Sequence, residues 1–412
     1  MLRFYTLLLR MGLILVPLFS SKNVKVRKWF DAREKWKEDL GSFNKHKTVI
    51  WFHCASIGEF EQARPVIEKL AQTDRYQLAI TFFSSSGYEA KANFEFADLI
   101  TYLPSDLPEN AEDFVNKLNP DAAIFVKYEF WFNFMDVLYT KNIPMALISA
   151  YFPDKHWTIE WPGILLGEML SEFDVIFTQD EMSCNILASV MIDNARSVGD
   201  TRVDRVLDVK KQAWEFDPIN SFIGEGEHVL VVGSNWSADD RNLIPVIKNH
   251  PNLKVIVVPH ELHENQKSSW KENFKSQMLS IAELESGEFV NQRVLYVDRM
   301  GLLSRVYRFA SVAYIGGGFG KAVHNTLEAA VYNIPVIFGP ENGRFQEIQY
   351  LKELGVGIEV KSQSELSAAL DKALSDKEYR ALVNRASNEF FQSQLGASDE
   401  IFQWIEKVSK RK

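Results

Sequence analysis

The chain has 412 residues with a formal net charge of −9 at pH 7, and 46% of its residues are hydrophobic. This length predicts at least two domains, each with its own core, and the acidic balance argues against general nucleic-acid binding. Only two cysteines occur, Cys54 and Cys184, which excludes a disulfide framework and indicates a reducing compartment. We interpret Cys54 as a small buried residue.

The first predicted element is an apolar segment over residues 1–21, whose stretch 5–19 carries Arg10 as its one charge. It is short for a membrane span, which needs about 20 apolar residues. Four basic residues follow at once: Lys22, Lys25, Arg27 and Lys28. Because a basic cluster beside an apolar segment favours an anionic lipid surface, we predict a membrane-associated helix that docks on the bilayer. The alternative is a helix that buries its leucines in the protein core.

Apolar runs of strand length alternate with amphipathic segments of helical period along nearly the whole chain. Six such runs lie in the first half, at residues 48–53, 77–83, 99–103, 122–127, 144–149 and 175–178. Six more lie in the second half, at residues 228–232, 254–258, 294–297, 312–315, 335–338 and 357–360. Many are continuously apolar, as in parallel strands covered on both faces. Their alternation with helices predicts an α/β fold with doubly wound sheets.

Proline and glycine interrupt the chain between residues 210 and 226, where one βα series ends and another begins. We predict a Rossmann-like domain over residues 22–210 and a second over residues 211–412, whose last segment, 387–412, is an amphipathic helix. Two such sheets face each other across a cleft and bind ligands at the carboxyl ends of their strands.

Polar residues follow the first two predicted strands. Glu59 ends the turn CASIGE at residues 54–59, where a helix should begin. A carboxylate there can act as a general base towards a sugar hydroxyl, or it can only complement the helix dipole. Ser84, Ser85 and Ser86 follow the next strand and either cap a helix, the commoner role, or bind an anion.

A charged segment follows the predicted strand that ends near residue 126. Lys127 and Glu129 are separated by one tyrosine and precede an aromatic run. They are either a solvated pair or part of a site at the strand end, and the position favours the site.

Two further strand ends occur in the second half. Residues 233–236 read GSNW, in which Ser234 and Asn235 can donate to a phosphate or cap a helix. Residues 258–264 read VPHELHE, a spacing that does not match the zinc motif HExxH. We therefore expect no metal there and interpret His260 as a nucleotide contact.

The most informative segment is IGGGFGKAVHNTLEAA at residues 315–330, between two strand-like runs. Strand, glycine turn, helix and strand form a βαβ unit, and glycines let a ligand approach the backbone. A helix starting near His324 would direct its free N–H groups at an anion, with His324 and Glu328 on one face. The segment predicts a nucleotide-sugar site; the alternative is a glycine-rich turn that only packs well.

Together these segments resemble the bacterial 3-deoxy-D-manno-octulosonic acid (Kdo) transferases. The segment HCASIGE at residues 53–59 is similar to the family's HAxSxGE, KYEFW at 127–131 to its ETELWPN, and GSNW at 233–236 to its GSTW. The glycines 316–318 and the segment HNTLE at 324–328 are among the most specific similarities to the family. The resemblance extends from the N-terminal segment to Gly357.

The resemblance implies the two-domain GT-B glycosyltransferase architecture and an inverting, metal-independent transfer of Kdo from CMP-Kdo to a lipid A precursor, without a cofactor. The protein would work in lipopolysaccharide biosynthesis at the cytoplasmic face of the inner membrane, with Glu59 as the general base. The acceptor-binding residues implied are Ser56, Gly58, Arg64, Ser84, Ser85, Ser86 and Glu129. The donor-binding residues implied are Gly233, Ser234, Asn235, Trp236, His260, Gly316, Gly317, Gly318, His324, Asn325, Thr326 and Glu328.

Two departures from the family's pattern occur. The family's VPRHPER, with its arginines, is VPHELHE here, and the acidic-threonine pair before Glu129 is replaced by Lys127 and Tyr128. The number of Kdo residues transferred therefore stays open. Two other hypotheses remain: a GT-B transferase that uses a UDP-sugar, and a non-catalytic membrane-bound protein that binds a nucleotide sugar and needs no carboxylate at Glu59.

Overall fold

The structure is a computed structural model that describes residues 2–20, 33, 35–153, 164–214, 217–224, 226–287, 291–343 and 345–410. The chain divides into two compact units, one formed by Met1–Asp204 and Gln394–Lys412, the other by Arg205–Ser393. Each unit contains one seven-stranded parallel sheet.

The first unit alternates strands and helices. Its strands are β1 (Thr48–Cys54), β2 (Tyr76–Phe82), β3 (Leu99–Tyr102), β4 (Ala122–Val126), β5 (Met145–Ala150), β6 (Val175–Thr178) and β7 (Ala195–Ser197). Its helices are α1 (Leu2–Ser20), α2 (Trp36–Ser42), α3 (Ile57–Ala71), α4 (Ser85–Lys91), α5 (Pro108–Leu118), α6 (Phe132–Thr140), α7 (Ile164–Ser171) and α8 (Glu181–Ser189). Helix α9 (Thr201–Lys211) then leads into the second unit.

The second unit repeats the alternation. Its strands are β8 (Val229–Asn235), β9 (Lys254–Pro259), β10 (Met278–Ser280), β11 (Val294–Tyr296), β12 (Val312–Ile315), β13 (Val336–Phe338) and β14 (Gly357–Glu359). Its helices are α10 (Asp217–Ile223), α11 (Ser237–Lys248), α12 (Glu264–Phe274), α13 (Ile281–Glu285), α14 (Leu303–Val306), α15 (Leu327–Ala330), α16 (Gln346–Glu353), α17 (Gln363–Ser375) and α18 (Lys377–Ser393). The final helix, α19 (Ala397–Ser409), belongs to the first unit.

Both sheets are doubly wound. The strand orders are β3-β2-β1-β4-β5-β6-β7 and β10-β11-β9-β8-β12-β13-β14. In each sheet the order reverses direction beside the first strand, between β1 and β4 and between β8 and β12. Such a switch point leaves a crevice at the carboxyl ends of the strands, where open α/β sheets bind ligands.

All twelve predicted strands are confirmed, and the cores explain their continuous apolar runs. Along β1, Val49 and Trp51 join one fully buried cluster while Ile50 and Phe52 join another, as expected for a strand covered on both faces. Two strands were not predicted, β7 and β10; they read ARS and MLS, and neither is a continuous apolar run.

The last helix differs from its predicted place in the second domain. Ile401 and Ile405 of α19 are fully buried in the core of the first unit, beside residues of α3. The carboxylate of Asp204 accepts hydrogen bonds from the N–H groups of Gly396 and Ser398, both at 2.7 Å, which fixes the start of α19. The predicted helix over 387–412 is in fact the end of α18 and the separate helix α19, and its pattern could not show which sheet α19 covers.

Helix α1 packs against the first unit along one side only. The Tyr5 hydroxyl donates to Asp106 at 2.7 Å and the Thr6 hydroxyl to Asn133 at 3.0 Å. The opposite side exposes between 50% and 73% of six apolar side chains, those of Phe4, Leu7, Leu8, Met11, Ile14 and Leu15. The expectation that these leucines are buried in the core is therefore wrong.

No helix of the described residues is long and apolar enough to cross a membrane. The basic cluster predicted to follow the N-terminal helix, residues 22–28, lies outside the described residues.

Candidate functional sites

Several of the predicted site residues lie at the switch point of each sheet. In the first unit β1 ends at Cys54 and β4 at Val126, and these strands are neighbours. In the second unit β8 ends at Asn235 beside β12, which ends at Ile315. The carboxyl ends of parallel strands meet at one edge of a sheet, so each unit gathers its polar turns at that edge.

Glu59 lies in the first turn of α3, and the residue is partly buried. The preceding Ser56 is the N-cap residue: its oxygen accepts a hydrogen bond from the Gly58 N–H at 3.2 Å, and its hydroxyl donates to the Glu59 carboxylate. Glu59 therefore complements the helix start while remaining open to a substrate hydroxyl, so the two predicted roles do not exclude each other.

A chain of hydrogen bonds runs beneath this edge. The Trp51 indole donates to Thr81 at 2.9 Å, Thr81 contacts His53 Nδ1 at 2.9 Å, and His53 Nε2 contacts Glu129 at 3.2 Å. The Trp131 indole donates to the same Glu129 oxygen at 2.8 Å. If the Thr81 hydroxyl donates to Nδ1, the Nε2–H of His53 donates to Glu129.

Lys127 and Glu129 are not an ion pair, so the solvated-pair hypothesis is wrong. The Glu129 side chain is only 16% exposed and is held by His53 and Trp131. Lys127 is partly buried and has φ of 63°, the left-handed region that non-glycine residues rarely adopt.

Asp200 and Arg202, which follow β7, are site residues that the sequence did not indicate. Arg202 Nε lies 3.0 Å from one Asp200 oxygen and 3.1 Å from the other. Burial opposes ionisation of Asp200, but Arg202 and, more weakly, Lys127 lower the pKa of this carboxyl. The signal was missing because β7 reads ARS and has no apolar run, so the turn after it had no assigned place.

Two further acceptor candidates, Ser84 and Arg64, have structural roles. Ser84 caps α4 by accepting a hydrogen bond from the Gly87 N–H at 3.1 Å, so the predicted capping role is confirmed. Arg64 binds Glu68 one turn along α3, with 2.5 Å between Nε and Oε1. Any contact of these residues with an acceptor stays a prediction.

Cys54 is fully buried at the end of β1. Burial, together with the carboxylates of Glu59 and Glu129, raises the pKa of its thiol well above the ordinary value. The thiol is therefore neutral, and the prediction of a small buried residue is confirmed.

In the second unit, the buried Asp239 holds the predicted turn in place. One of its oxygens accepts from the N–H of Trp236 at 2.8 Å and from the N–H of Gly317 at 2.9 Å. The other accepts from the Tyr314 hydroxyl at 2.9 Å. Asp239 thus connects the GSNW turn to the glycine turn at the switch point.

The three glycines are required by packing within the protein. A Cβ on Gly316 would lie 2.3 Å from the Cα of Asn235, and one on Gly317, whose φ is 96°, would lie 2.1 Å from the Ala322 carbonyl oxygen. A Cβ on Gly318 would lie 2.6 Å from the backbone just after β13. The alternative of a turn that packs well therefore accounts for these residues without a ligand.

Four side chains form a stack at this edge. The rings of His260 and His324 lie 4.1 Å apart, Trp236 lies 4.6 Å from His260, and the Lys321 ammonium is 3.4 Å above the Trp236 ring. The Trp236 indole donates to His324 Nε2 at 2.9 Å, which leaves the proton of the neutral imidazole on Nδ1. Burial, His260 and Lys321 lower the pKa of His324 to about 4, and burial also lowers that of His260.

The helix predicted to start near His324 begins later. Helix α15 has only four residues, Leu327–Ala330, so His324 precedes it and only Glu328 lies in its first turn. The predicted shared helix face is therefore wrong. Asn325 donates to Glu328 at 3.2 Å, and Thr326 is fully buried.

Asp240 is buried in a separate network beside the turn. It accepts hydrogen bonds from Asn235 at 2.6 Å, Trp270 at 3.0 Å and Gln266 at 3.0 Å, and burial raises its pKa to about 6. Its oxygens and those of Asp239 thus serve different partners. In the part of the chain that the structure describes, no group of three or more His, Cys, Asp or Glu could hold a metal ion.

Comparison of the sequence with known families matches residues 34–205 to the family described as 3-deoxy-D-manno-octulosonic-acid transferase (kdotransferase). A 3-deoxy-D-manno-octulosonic acid transferase of Aquifex aeolicus is 30% identical over 348 residues, which are 82% of this chain and 89% of the relative. A bifunctional glycosyltransferase/methyltransferase of Fusobacterium nucleatum is 23% identical over 397 residues, 92% of this chain but only 60% of the relative.

Solved structures share the fold. A UDP-GlcNAc 2-epimerase from Neisseria meningitidis bound to UDP-GlcNAc has a TM-score of 0.59 at 16% identity, covering 88% of this chain and all of the other. Acinetobacter baumannii MurG has a TM-score of 0.57 at 12% identity, covering 88% of this chain and all of the other. With the two parallel sheets, this likeness confirms the predicted GT-B-like α/β fold.

Proposed function

Because the chain belongs to the 3-deoxy-D-manno-octulosonic acid (Kdo) transferase family and is a glycosyltransferase, we propose that it moves Kdo from CMP-Kdo to a lipid A precursor. In this proposal the first unit holds the acceptor and the second holds the donor. Transfer inverts the anomeric centre and needs no metal, since nucleotide phosphates can be neutralised by protein groups alone.

The carboxylate of Glu59 at the start of α3 carries the proposal. The attacking sugar hydroxyl must lose its proton as the new bond forms, and a general base must reach that proton. Glu59 is only partly buried, and its one printed side-chain partner is the Ser56 hydroxyl, which donates to it. Glu129 at the same edge is committed to His53 and Trp131. We therefore assign the base to Glu59 and a positioning role to Glu129.

The donor candidates of the second unit divide into two groups. Those proposed to contact CMP-Kdo are Ser234, Trp236, His260, His324, Asn325 and Glu328. Those proposed to shape the turn are Gly233, Asn235, Gly316, Gly317, Gly318 and Thr326. The division rests on burial, because Asn235 and Thr326 are fully enclosed. Lys321 adds a cation beside Trp236, which suits an anionic donor.

We place the protein at the cytoplasmic face of the inner membrane. The support is α1, whose apolar side is exposed although Tyr5 and Thr6 attach the helix to the first unit. An apolar helical face is suited to the boundary between lipid headgroups and acyl chains, where a lipid A precursor carries its sugars.

The test compares Glu59→Gln with Glu112→Gln, the same charge change at an exposed position of α5. With CMP-Kdo and a lipid A precursor, we expect Glu59→Gln to lose transfer by at least about 100-fold, the usual size of a general-base effect. CMP should still raise the Tm of this variant. Glu112→Gln should transfer as the unmodified protein does.

Three outcomes would contradict the proposal in different ways. Near-normal transfer by Glu59→Gln would remove Glu59 from the role of base. A Tm raised by UDP and not by CMP would favour the UDP-sugar hypothesis. Binding of a nucleotide without any transfer would favour a non-catalytic binding protein.

A further inference from the structure

Lys127 is a partly buried cation at the switch point of the first unit. Within the described residues its ammonium makes no hydrogen bond or ion pair, although it lies near enough to Asp200 to lower the pKa of that carboxyl. Taking a charge partly out of water costs free energy unless an opposite charge compensates. Among the described residues no side chain pairs with this ammonium, so a bound anion can compensate its charge.

The neighbouring carboxylates are already used. Asp200 is held by the guanidinium of Arg202 through contacts to both of its oxygens. Glu129, two residues along the chain, accepts from His53 and Trp131. Both acids thus direct their oxygens at other donors, and the charge of Lys127 remains available.

The backbone holds Lys127 in a costly conformation. Its φ is 63°, while its N–H continues the sheet by donating to the Ile148 carbonyl at 2.9 Å. Ser149, at the end of the adjacent strand, is also left-handed with φ of 53°, and its hydroxyl contacts that of Thr201 at 3.2 Å. Conformations of this kind persist where the surroundings enforce them, and they concentrate at ligand-binding sites.

We propose that Lys127 binds an anionic substituent, a phosphate or a carboxylate, on the acceptor sugar. This inference rests on the proposed role of the first unit as the acceptor unit. The ammonium would compensate the anion, and the left-handed turn would set the direction from which the side chain reaches it. An acceptor with this substituent would then be selected over a neutral one.

The experiment compares Lys127→Met, Lys127→Arg and Lys127→Gly with Lys141→Met, an exposed lysine beyond α6 in the same unit. Transfer from CMP-Kdo is measured with three acceptors: a phosphorylated lipid A precursor, its dephosphorylated form, and the dephosphorylated form already carrying one Kdo carboxylate. For Lys127→Met we expect KM for the recognised anionic acceptor to rise at least tenfold, with kcat within about twofold and KM for the neutral acceptor unchanged. The acceptor whose KM responds identifies the anion as a phosphate or a carboxylate.

Two variants separate the effect of the Lys127 charge from the effect of its backbone conformation. Lys127→Arg keeps the charge and should recover most of the affinity. Lys127→Gly relieves the left-handed strain, so its Tm should be at least that of the unmodified protein while its KM rises as in Lys127→Met. Lys141→Met should change neither quantity.

The inference is overturned if Lys127→Met leaves KM unchanged for both anionic acceptors or raises it equally for the neutral one. If the unmodified protein transfers Kdo to no acceptor, the proposed function fails instead. Calorimetric titration with glucosamine 6-phosphate and with glucosamine then tests the inference independently of Kdo transfer. A phosphate-dependent affinity that Lys127→Met abolishes supports it, and equal affinities overturn it.

Discussion

Glu59 and Glu129 show how two side chains of the same kind acquire different capacities at one sheet edge. Both side chains are partly buried, but Glu59 accepts from Ser56 at the start of α3, whereas Glu129 is held by His53 and Trp131. A base must be reachable and a positioning group must be fixed. The difference arises from hydrogen-bond partners, not from the carboxyl group itself.

His324 predicts a measurable dependence of stability on pH. Its pKa is about 4 in the folded protein against an ordinary 6.5, so between these values the unfolded chain binds a proton that the folded chain does not. The stability of the unmodified protein relative to His324→Gln should therefore fall as pH decreases from 6.5 towards 4. The slope is at most about 1.4 kcal/mol per pH unit for one proton.

Urea unfolding at several pH values measures this difference. A comparison with a variant is necessary because Asp240, in the same unit, also makes stability depend on pH. Its pKa is raised to about 6, so its effect on stability has the opposite sign. The stability that protonated Asp240 contributes is lost as pH rises towards 6. The exposed His228 provides the control His228→Gln, and equal slopes for both variants would contradict the role given to His324.

At the scale of elements, the turn from β12 to α15 depends on backbone geometry more than on side chains. Gly317 combines φ of 96° with a carbonyl oxygen 2.1 Å from where a Cβ would lie. Gly317→Ala should therefore destabilise the second unit by about 2 kcal/mol or more. Gly167 in α7 has nothing within 4 Å, so Gly167→Ala should be neutral or stabilise by up to about 1 kcal/mol. Denaturant midpoints check both, and a tolerated Gly317→Ala would show that the turn can rearrange.

Helix α19 should stabilise the first unit although it is last in sequence. Ile405 is fully buried against that unit's core, so Ile405→Ala should cost about 2–5 kcal/mol. Lys407 on the same helix is exposed, and Lys407→Ala should have little effect. Hydrogen exchange of Ile405→Ala distinguishes the two units: amide protection should fall in β1 and β4 and remain unchanged in β8 and β12. Loss of protection in the second unit instead would contradict this assignment.

For the whole molecule, local signals predicted elements well and spatial relations poorly. Continuous apolar runs indicated both sheets, and the turns at Glu59 and Gly317 were found because each follows a recognisable strand. The sequence did not reveal that Asp200 and Arg202 lie at the edge near Lys127, since the strand before them has no apolar run. It also did not reveal that Glu129 is paired with His53, because that pairing joins strands far apart in the chain.

Membrane attachment can be tested with two methionines of equal exposure. Met11 on α1 and Met182 on α8 are each 53% exposed. If α1 docks on lipid, Met11→Asp should reduce binding to vesicles of anionic lipid by about tenfold or more, because a buried Met side chain contributes about 1.5–3 kcal/mol. Met182→Asp should leave binding unchanged, and neither variant should lower Tm. Equal vesicle binding by the two variants would exclude α1 as the lipid contact.

The return of α19 to the first unit has a consequence for how the protein is made. The chain leaves the first unit after Asp204 and re-enters it at Gln394, so the second unit is an insertion in the first. During synthesis from the N-terminus, the second unit can complete its core while the first still lacks α19. Ribosome-bound chains that end near residue 393 should therefore carry an open patch on the first unit around Ala63 and Val66 of α3, which chaperones must cover until translation ends.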